Sequence, residues 1–317
     1  MYIGQSRQLK TWHHQYRKVS LYIYKLLYVY LSHQLPPRPA TRKISAHSRI
    51  PYTGFPVISN LGLIYSTFVP VFHRRFVSRQ VNMATPPLGF PVSNTTPACL
   101  PGPDPLIGKH VVLERLSTSH TADLYEAVGT NDGLWTYLPE GPFSNTSDFA
   151  HHIAQKSAKP DHAFYAILLQ GKAVGHVCLF RADLPNQAIE VGHVLYGAQL
   201  QRTRAGTEVL YLLGQLVFST LGYRRWEWKC NALNSASKRA AERYGFTYEG
   251  TFRQHMIVKG RNRDTAWYAI VDGEWAAERE VFETWLGDGN FDGEGKQRRT
   301  LGHVREGLGK REWSRGA

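Results

Sequence analysis

The chain has 317 residues, enough for one large or two small domains, and a formal net charge of +13. Residues 1–103 contain no Asp or Glu and hold 12 of the 38 Lys and Arg, which leaves 26 basic against 25 acidic residues in 104–317. The part expected to fold is therefore nearly neutral, and the basic balance does not indicate a nucleic-acid binder.

Residues 1–82 are basic and lack a sustained hydrophobic period. They read either as a mitochondrial transit segment or as extra sequence before a natural start at Met83. The prolines at 36, 37, 39, 51 and 56 oppose a long amphipathic helix and favour the second reading. Cytoplasmic location is then expected, mitochondrial otherwise. No stretch reaches the roughly 18 apolar residues of a membrane span; Val19–Leu31 is interrupted by Lys25. Residues 83–105 form a Pro-rich linker.

The domain is expected over 106–286. His110–Leu116 alternates as a strand. Ser119 can open a helix to about Val128, and Ser147 precedes another from Asp148 to about Ala158. Phe164–Leu169 and Val174–Phe180 are apolar strands joined at Gly171-Lys172. Ala188–Tyr196 is the next strand, with Ile189, Val191, His193 and Leu195 on one face and Glu190, Gly192, Val194 and Tyr196 on the other. A turn and a helix to Leu221 follow, with Val209, Leu212, Leu213, Leu216 and Val217 at core spacing. Arg225–Asn231 alternates as a strand. Asn234 then caps a helix that Gly245 stops. Phe246–Val258 and Arg263–Val271 make a long hairpin, and a last helix runs from about Glu274 to Trp285. Residues 287–317 are Gly-rich, charged and poor in apolar residues, and are expected to be disordered. Cys99, Cys178 and Cys230 are widely spaced with no Cys-x-x-Cys pair, which argues against a disulfide framework or zinc site. The adjacent histidine pairs His13-His14 and His151-His152 do not share a helix face, so no metal is expected.

The most telling stretch is Ala188 to Gly250. A strand feeds a basic, small-residue turn and then a helix N-terminus, whose free N–H groups and positive end suit a phosphate. The segments Ile189-Glu190-Val191-Gly192, Gln201 through Glu208, Asn234-x-x-Ser237 and Gly245-Phe246-Thr247-Tyr248-Glu249-Gly250, in that order, resemble the GNAT acetyltransferases. The resemblance is to the branch similar to the acetyltransferases of ribosomal-protein N-termini. It implies an α/β fold of the α+β type, with a mixed, mostly antiparallel sheet flanked by helices. It also implies transfer of an acetyl group from acetyl-CoA to an amine, either a protein N-terminus or a small molecule. A non-enzymatic acyl-CoA-binding regulator is the alternative.

The resemblance carries site roles with it. Gln201, Arg202, Thr203, Arg204, Ala205, Gly206 and Thr207 become the pyrophosphate cradle. Arg204 stands where the family commonly has Gly, so its side chain is expected to contact phosphate. Val194, Leu195 and Tyr196 would offer free backbone to the pantetheine arm. Asn234 would bind the cofactor's amide groups, and Ser237 would protonate the departing thiolate. Glu190, charged within an apolar strand, is the leading general base; a structural carboxylate is the competing reading. Met256 stands where some relatives carry a basic Glu, with His255 beside it as a weaker base. The charged hairpin tip Lys259-Gly260-Arg261-Asn262-Arg263-Asp264 reads first as solvated; the alternative is that Asp264 and Tyr268, on the strand leaving it, reach the acceptor amine. No membrane or nucleic-acid partner is expected.

Overall fold

The structure is a computed structural model, and it describes residues 87–309. The expectations for residues 1–82 lie outside that range. Eight strands form one sheet in the order β1-β2-β3-β4-β5-β6-β8-β7. They are β1 Leu106–Ile107, β2 Val112–Arg115, β3 His162–Leu169, β4 Lys172–Asp183, β5 Ala188–Tyr196, β6 Arg225–Asn231, β7 Thr247–Val258 and β8 Arg261–Val271. Every pairing is antiparallel except β5 with β6.

The hairpin turns sit where side chains tolerate the left-handed region. Gln170-Gly171 joins β3 to β4 and Lys259-Gly260 joins β7 to β8, all four at positive φ. Among the described residues six α-helices complete the fold: α1 Thr121–Leu124, α2 Thr146–Ser157, α3 Arg204–Gly214, α4 Ser235–Arg243, α5 Asp272–Leu286 and α6 Leu301–Gly307. Asn145, rather than Ser147, caps α2, its side chain accepting from the Asp148 N–H at 2.9 Å.

Two cores lie on the two faces of the sheet. The larger buries Val209, Leu210, Leu213 and Val217 of α3 and its continuation against Trp226, Ile270 and Phe282. The smaller packs Leu124, Trp135, Phe149 and Ile153 against Phe164 and Cys178. Each such side chain contributes about 1.5–3 kcal/mol by leaving water. Glu208 is buried on α3, just past its first turn, where its carboxylate accepts the Lys109 and His110 N–H groups at 2.9 and 2.6 Å. That contact ties the β1–β2 turn to α3.

Both flanks expected to be irregular dock on the fold. Within the Pro-rich stretch, the Ala98 N–H donates to Leu184 O and the Cys99 N–H to Leu221 O. The expectation of a disordered tail is corrected as far as residue 309. Asn290 satisfies three backbone groups, donating to Trp285 O and Arg299 O and accepting from the Arg299 N–H. Leu301 and Val304 of α6 are fully buried. Arg305 binds Glu278 of α5 through two nitrogens at 2.7–2.8 Å. Few apolar residues suffice there because the polar ones are paired.

Candidate active site

The site begins where β5 and β6 part. Their parallel pairing runs only from Ala188↔Arg225 to Val191↔Trp228, although β5 continues to Tyr196 and β6 to Asn231. The β6-facing edge of Gly192–Tyr196 therefore has no strand partner. On its other side, β5 skips register against β4 between Cys178↔Gly192 and His176↔Leu195. His193 occupies this bulge at φ 48°. A bulge resets the alternation of faces. Ile189 and Val191 enter the larger core, but Leu195 enters the smaller one, while Val194 and Tyr196 turn back to the larger. The expected common face of Ile189, Val191, His193 and Leu195 is corrected accordingly.

One cleft runs from this parting to the start of α3. Val194, Leu195, Tyr196, Gln201, Arg202, Thr203, Arg204, Gly206, Thr207, Asn234, Ser237 and Glu190 all line it. The turn is built from its own contacts. Gln201 Nε2 donates to Tyr196 O at 2.7 Å, and Thr203 Oγ1 caps α3 by accepting from the Gly206 N–H at 3.1 Å. Arg202 holds φ 61°. A Cβ on Gly206 would lie 2.5 Å from Leu200 O, so the turn itself demands glycine there. The first N–H groups of α3, at Arg204 and Ala205, have no partner within the helix; Arg204 lines the cleft, whereas Ala205, expected there too, is buried and does not.

The Arg204 side chain, expected at the phosphate, is committed elsewhere. It donates to Leu286 O and to Asp288 at 2.8 Å, and stacks over the Phe291 ring at 4.3 Å. The C-terminal segment, unread in the sequence, thus holds it. Sequence reasoning also missed Arg239 and Arg243, one turn apart on α4, and Lys296, all lining the cleft. Basic residues at i and i+4 beside the proposed cradle were a readable signal.

Asn234 caps α4 as its sequence position implied, its Oδ1 accepting from the Ser237 N–H at 3.0 Å, which leaves its amide nitrogen free to donate to a ligand. Ser237 Oγ accepts from Trp228 Nε1 at 3.0 Å, which leaves the hydroxyl proton free to be donated.

Glu190 is buried and doubly paired, with Arg181 at 2.9 Å and Lys229 at 3.0 Å. Lys229 in turn reaches Glu227 at 2.6 Å. Both cations are held by this one carboxylate, the arrangement that the structural reading of Glu190 implies. Next to it, His193 Nδ1 lies 3.2 Å from Lys156 Nζ. Burial, then the Lys156 charge, pulls the His193 pKa down to about 2, so its imidazole is neutral.

Two further expectations are corrected. Asp264 pins the β7 irregularity, accepting from the Gln254 N–H at 2.7 Å, and Tyr268 is buried with its hydroxyl on Glu242 at 3.3 Å. Neither lines the cleft, whereas Met256 does and His255 does not. The hairpin tip is not merely solvated: Lys259 Nζ donates to Trp135 O at 2.9 Å, tying β7–β8 to the loop that carries Leu134 and Tyr137.

Strand order, parted central strands and a helix N-terminus at the parting define an acyltransferase of the GNAT class. Residues 110–247 match the family described as acetyltransferase (GNAT) domain. The chain is 40% identical to a GCN5-related N-acetyltransferase from Brucella melitensis, with TM-score 0.66, over 68% of this chain and 100% of that one. It is 37% identical to a GNAT-family chain from Chromobacterium violaceum ATCC 12472, with TM-score 0.58, over 61% and 98%. The chain belongs to the GNAT acetyltransferase family, whose co-substrate is acetyl-CoA. A Bacillus subtilis (strain 168) protein, YdaF, whose own assignment as a ribosomal N-acetyltransferase is provisional, is 23% identical over 180 residues, covering 55% of this chain and 97% of that protein.

Proposed function

We propose that the cleft transfers an acetyl group from acetyl-CoA to a primary amine, and that an α-amine such as a protein N-terminus fits it better than a polyamine. The unpaired edge of β5 beside the Ser237 hydroxyl carries this reading. The Arg204 N–H group, with Arg239 and Arg243, suits the pyrophosphate. The free N–H and C=O groups of Gly192–Tyr196 suit the pantetheine amides and the thioester oxygen. The amine nitrogen attacks the thioester carbon, the C–N bond forms and the C–S bond breaks; Ser237 passes its proton to the leaving sulfur and recovers one from the nitrogen, so that the amine's N–H proton ends on the thiol. Positioning supplies most of the rate.

The ammonium form of the acceptor gives its proton to solvent, favoured by the local electrostatics, rather than to a base of the protein. Glu190 is the lone acid among the described residues lining the cleft, and two cations hold it. A positive surround lowers an ammonium's pKa. An α-amine, ordinarily near 7.7–8.0, is then largely neutral at physiological pH, whereas a polyamine is repelled. The likeness to YdaF supports a protein N-terminus as acceptor.

The test supplies acetyl-CoA with a panel of peptides, small amines and polyamines, and reads thiol release together with acetylated product. Peptides are expected to be acetylated fastest. Ser237→Ala is expected to lower kcat on the order of 10²-fold with little change in KM for acetyl-CoA. Thiol release without any acetylated amine would overturn the reading.

A further inference from the structure

Arg263 differs from every other cation near the meeting point of β5, β6 and β8. It lies on β8 across from Met256, and both line the cleft. It is half-buried, and its Nε is shielded from solvent with no hydrogen-bond partner. Among the described residues its side chain makes no hydrogen bond and no ion pair.

Its neighbours close their charges locally. Arg181 and Lys229 share Glu190; Lys229 and Arg225 share Glu227; Arg225 also binds Glu249. Glu190, the one carboxylate among the groups whose charge bears on Arg263, is therefore already used twice. Two residues along the same strand face, the Thr265 hydroxyl is also buried without a partner. Burial weakens the hold of Arg263 on its proton, but a guanidinium keeps its charge in proteins. A half-buried guanidinium with unused donors calls for an anion with two oxygens, which Arg binds bidentately.

The anion is not expected to be the pyrophosphate. The start of α3 and the basic residues of α4 lie on the phosphate side of the cleft. Arg263 instead shares a sheet face with Lys229, since Lys229 is directly opposed to Trp267 on β8 and Trp267 lies four residues beyond Arg263 on the same strand. Lys229 binds Glu190, whose second partner, Arg181, covers the Phe180 ring of the smaller core at 5.1 Å. That is the face closed by Lys259 and the Leu134–Tyr137 loop.

The geometry points to an acceptor that carries its own anionic group, a carboxylate or phosphate close to the reacting amine, with Arg263 as the seat of that group and Arg181 beside it. The inference rests on the reading of the cleft as an acetyl-transfer site. Either an acidic side chain next to a peptide N-terminus or a small amino acid or aminoalkyl phosphate supplies this chemistry. Polycationic amines do not.

The experiment uses the full chain and matched acceptor pairs. One pair is a peptide with Asp or Glu at its second and third positions against its Asn or Gln counterpart. Another is an amino acid against its amide, and a third an aminoalkyl phosphate against the amino alcohol. The anionic member of at least one pair is expected to show a kcat/KM at least tenfold higher. The peptide and small-molecule arms separate the two sources. In Arg263→Gln that ratio is expected to collapse toward one, with part of it restored in Arg263→Lys. Acetyl-CoA affinity by direct titration and the melting temperature should hold in both variants. Equal use of anionic and neutral acceptors by the wild type would overturn the inference while leaving acetyl transfer intact. A weaker hold on acetyl-CoA in Arg263→Gln would overturn it by assigning Arg263 to the cofactor. Failure to acetylate any amine would take down the transfer reading and this inference with it.

Discussion

The two ends of the cleft handle positive charge in opposite ways. At the phosphate end, the most conspicuous cation, Arg204, is spent on the protein: Leu286 O, Asp288 and the Phe291 ring hold it. Ligand-facing capacity there comes from backbone N–H groups and from Arg239 and Arg243 on α4. At the acceptor end, Glu190 is shared between two cations and Arg263 is left over. What a basic residue does is set by its partners rather than by its place in a motif.

The sharpest way to break this comparison is at Glu190. Glu190→Gln leaves Lys229 and Arg181 short of a counter-charge, with Lys229 only 7% exposed. Removing one member of a buried pair is strongly destabilising. Because Lys229 keeps Glu227, a loss of about 2–4 kcal/mol is expected, read as a lower midpoint in chemical denaturation. The pH–rate profile should keep its shape and shift toward lower pH, because the cleft loses its lone acid and becomes more positive. Normal stability with loss of activity confined to low pH would show instead that Glu190 is the base.

The acceptor end also buries neutral histidines. His152 lies among Trp135 and Phe143, and burial, then the Lys156 charge, lowers its pKa from 6.5 to about 3. Between those values the unfolded chain takes up a proton that the folded chain does not. This contribution is fully present above about pH 6.5 and falls away as pH drops below it, by about 1.4 kcal/mol per pH unit. His152→Leu is expected to flatten the decline of stability between pH 6.5 and 5 by about that slope. A slope equal to the wild type would mean that His152 is charged in the fold.

Most of the scaffold was legible because it follows period. Ala188–Tyr196 and Arg225–Asn231 were bounded to the residue by apolar alternation flanked by turn residues. The start of α4 followed from Asn234 and its end from Gly245, which sits at φ 92°. The gathering of the turn, Asn234 and Ser237 on one cleft followed from the family resemblance and from strand ends sharing one side of a sheet. What stayed hidden depends on contacts that carry no period. The His193 bulge reverses the faces of β5 and is encoded in no local pattern. The docking of 288–307 rests on Asn290, Arg305 and two buried apolar side chains, too few to raise the mean hydropathy. The pairing of Glu190 needed Arg181 and Lys229, which lie on two other strands.

The smallest effect expected is also the one that separates the two kinds of cation directly. Arg239 lines the cleft, is exposed, and makes no ion pair among the described residues. Arg239→Met should weaken acetyl-CoA binding several-fold at low salt, and the loss should shrink as salt screens the remaining charges. Arg204→Met should behave differently. Its pair with Asp288 is weak because Asp288 is largely exposed, but the contacts with Leu286 O and Phe291 hold the C-terminal segment. The expected result is a melting temperature lower by a few degrees, with acetyl-CoA affinity within about twofold and no dependence of that ratio on salt. Isothermal titration at two ionic strengths, paired with thermal melts, measures both. Equal, salt-sensitive losses of affinity in the two variants would mean that Arg204 swings to the phosphate when acetyl-CoA binds. The contrast between the two ends of the cleft would then belong to the free protein alone.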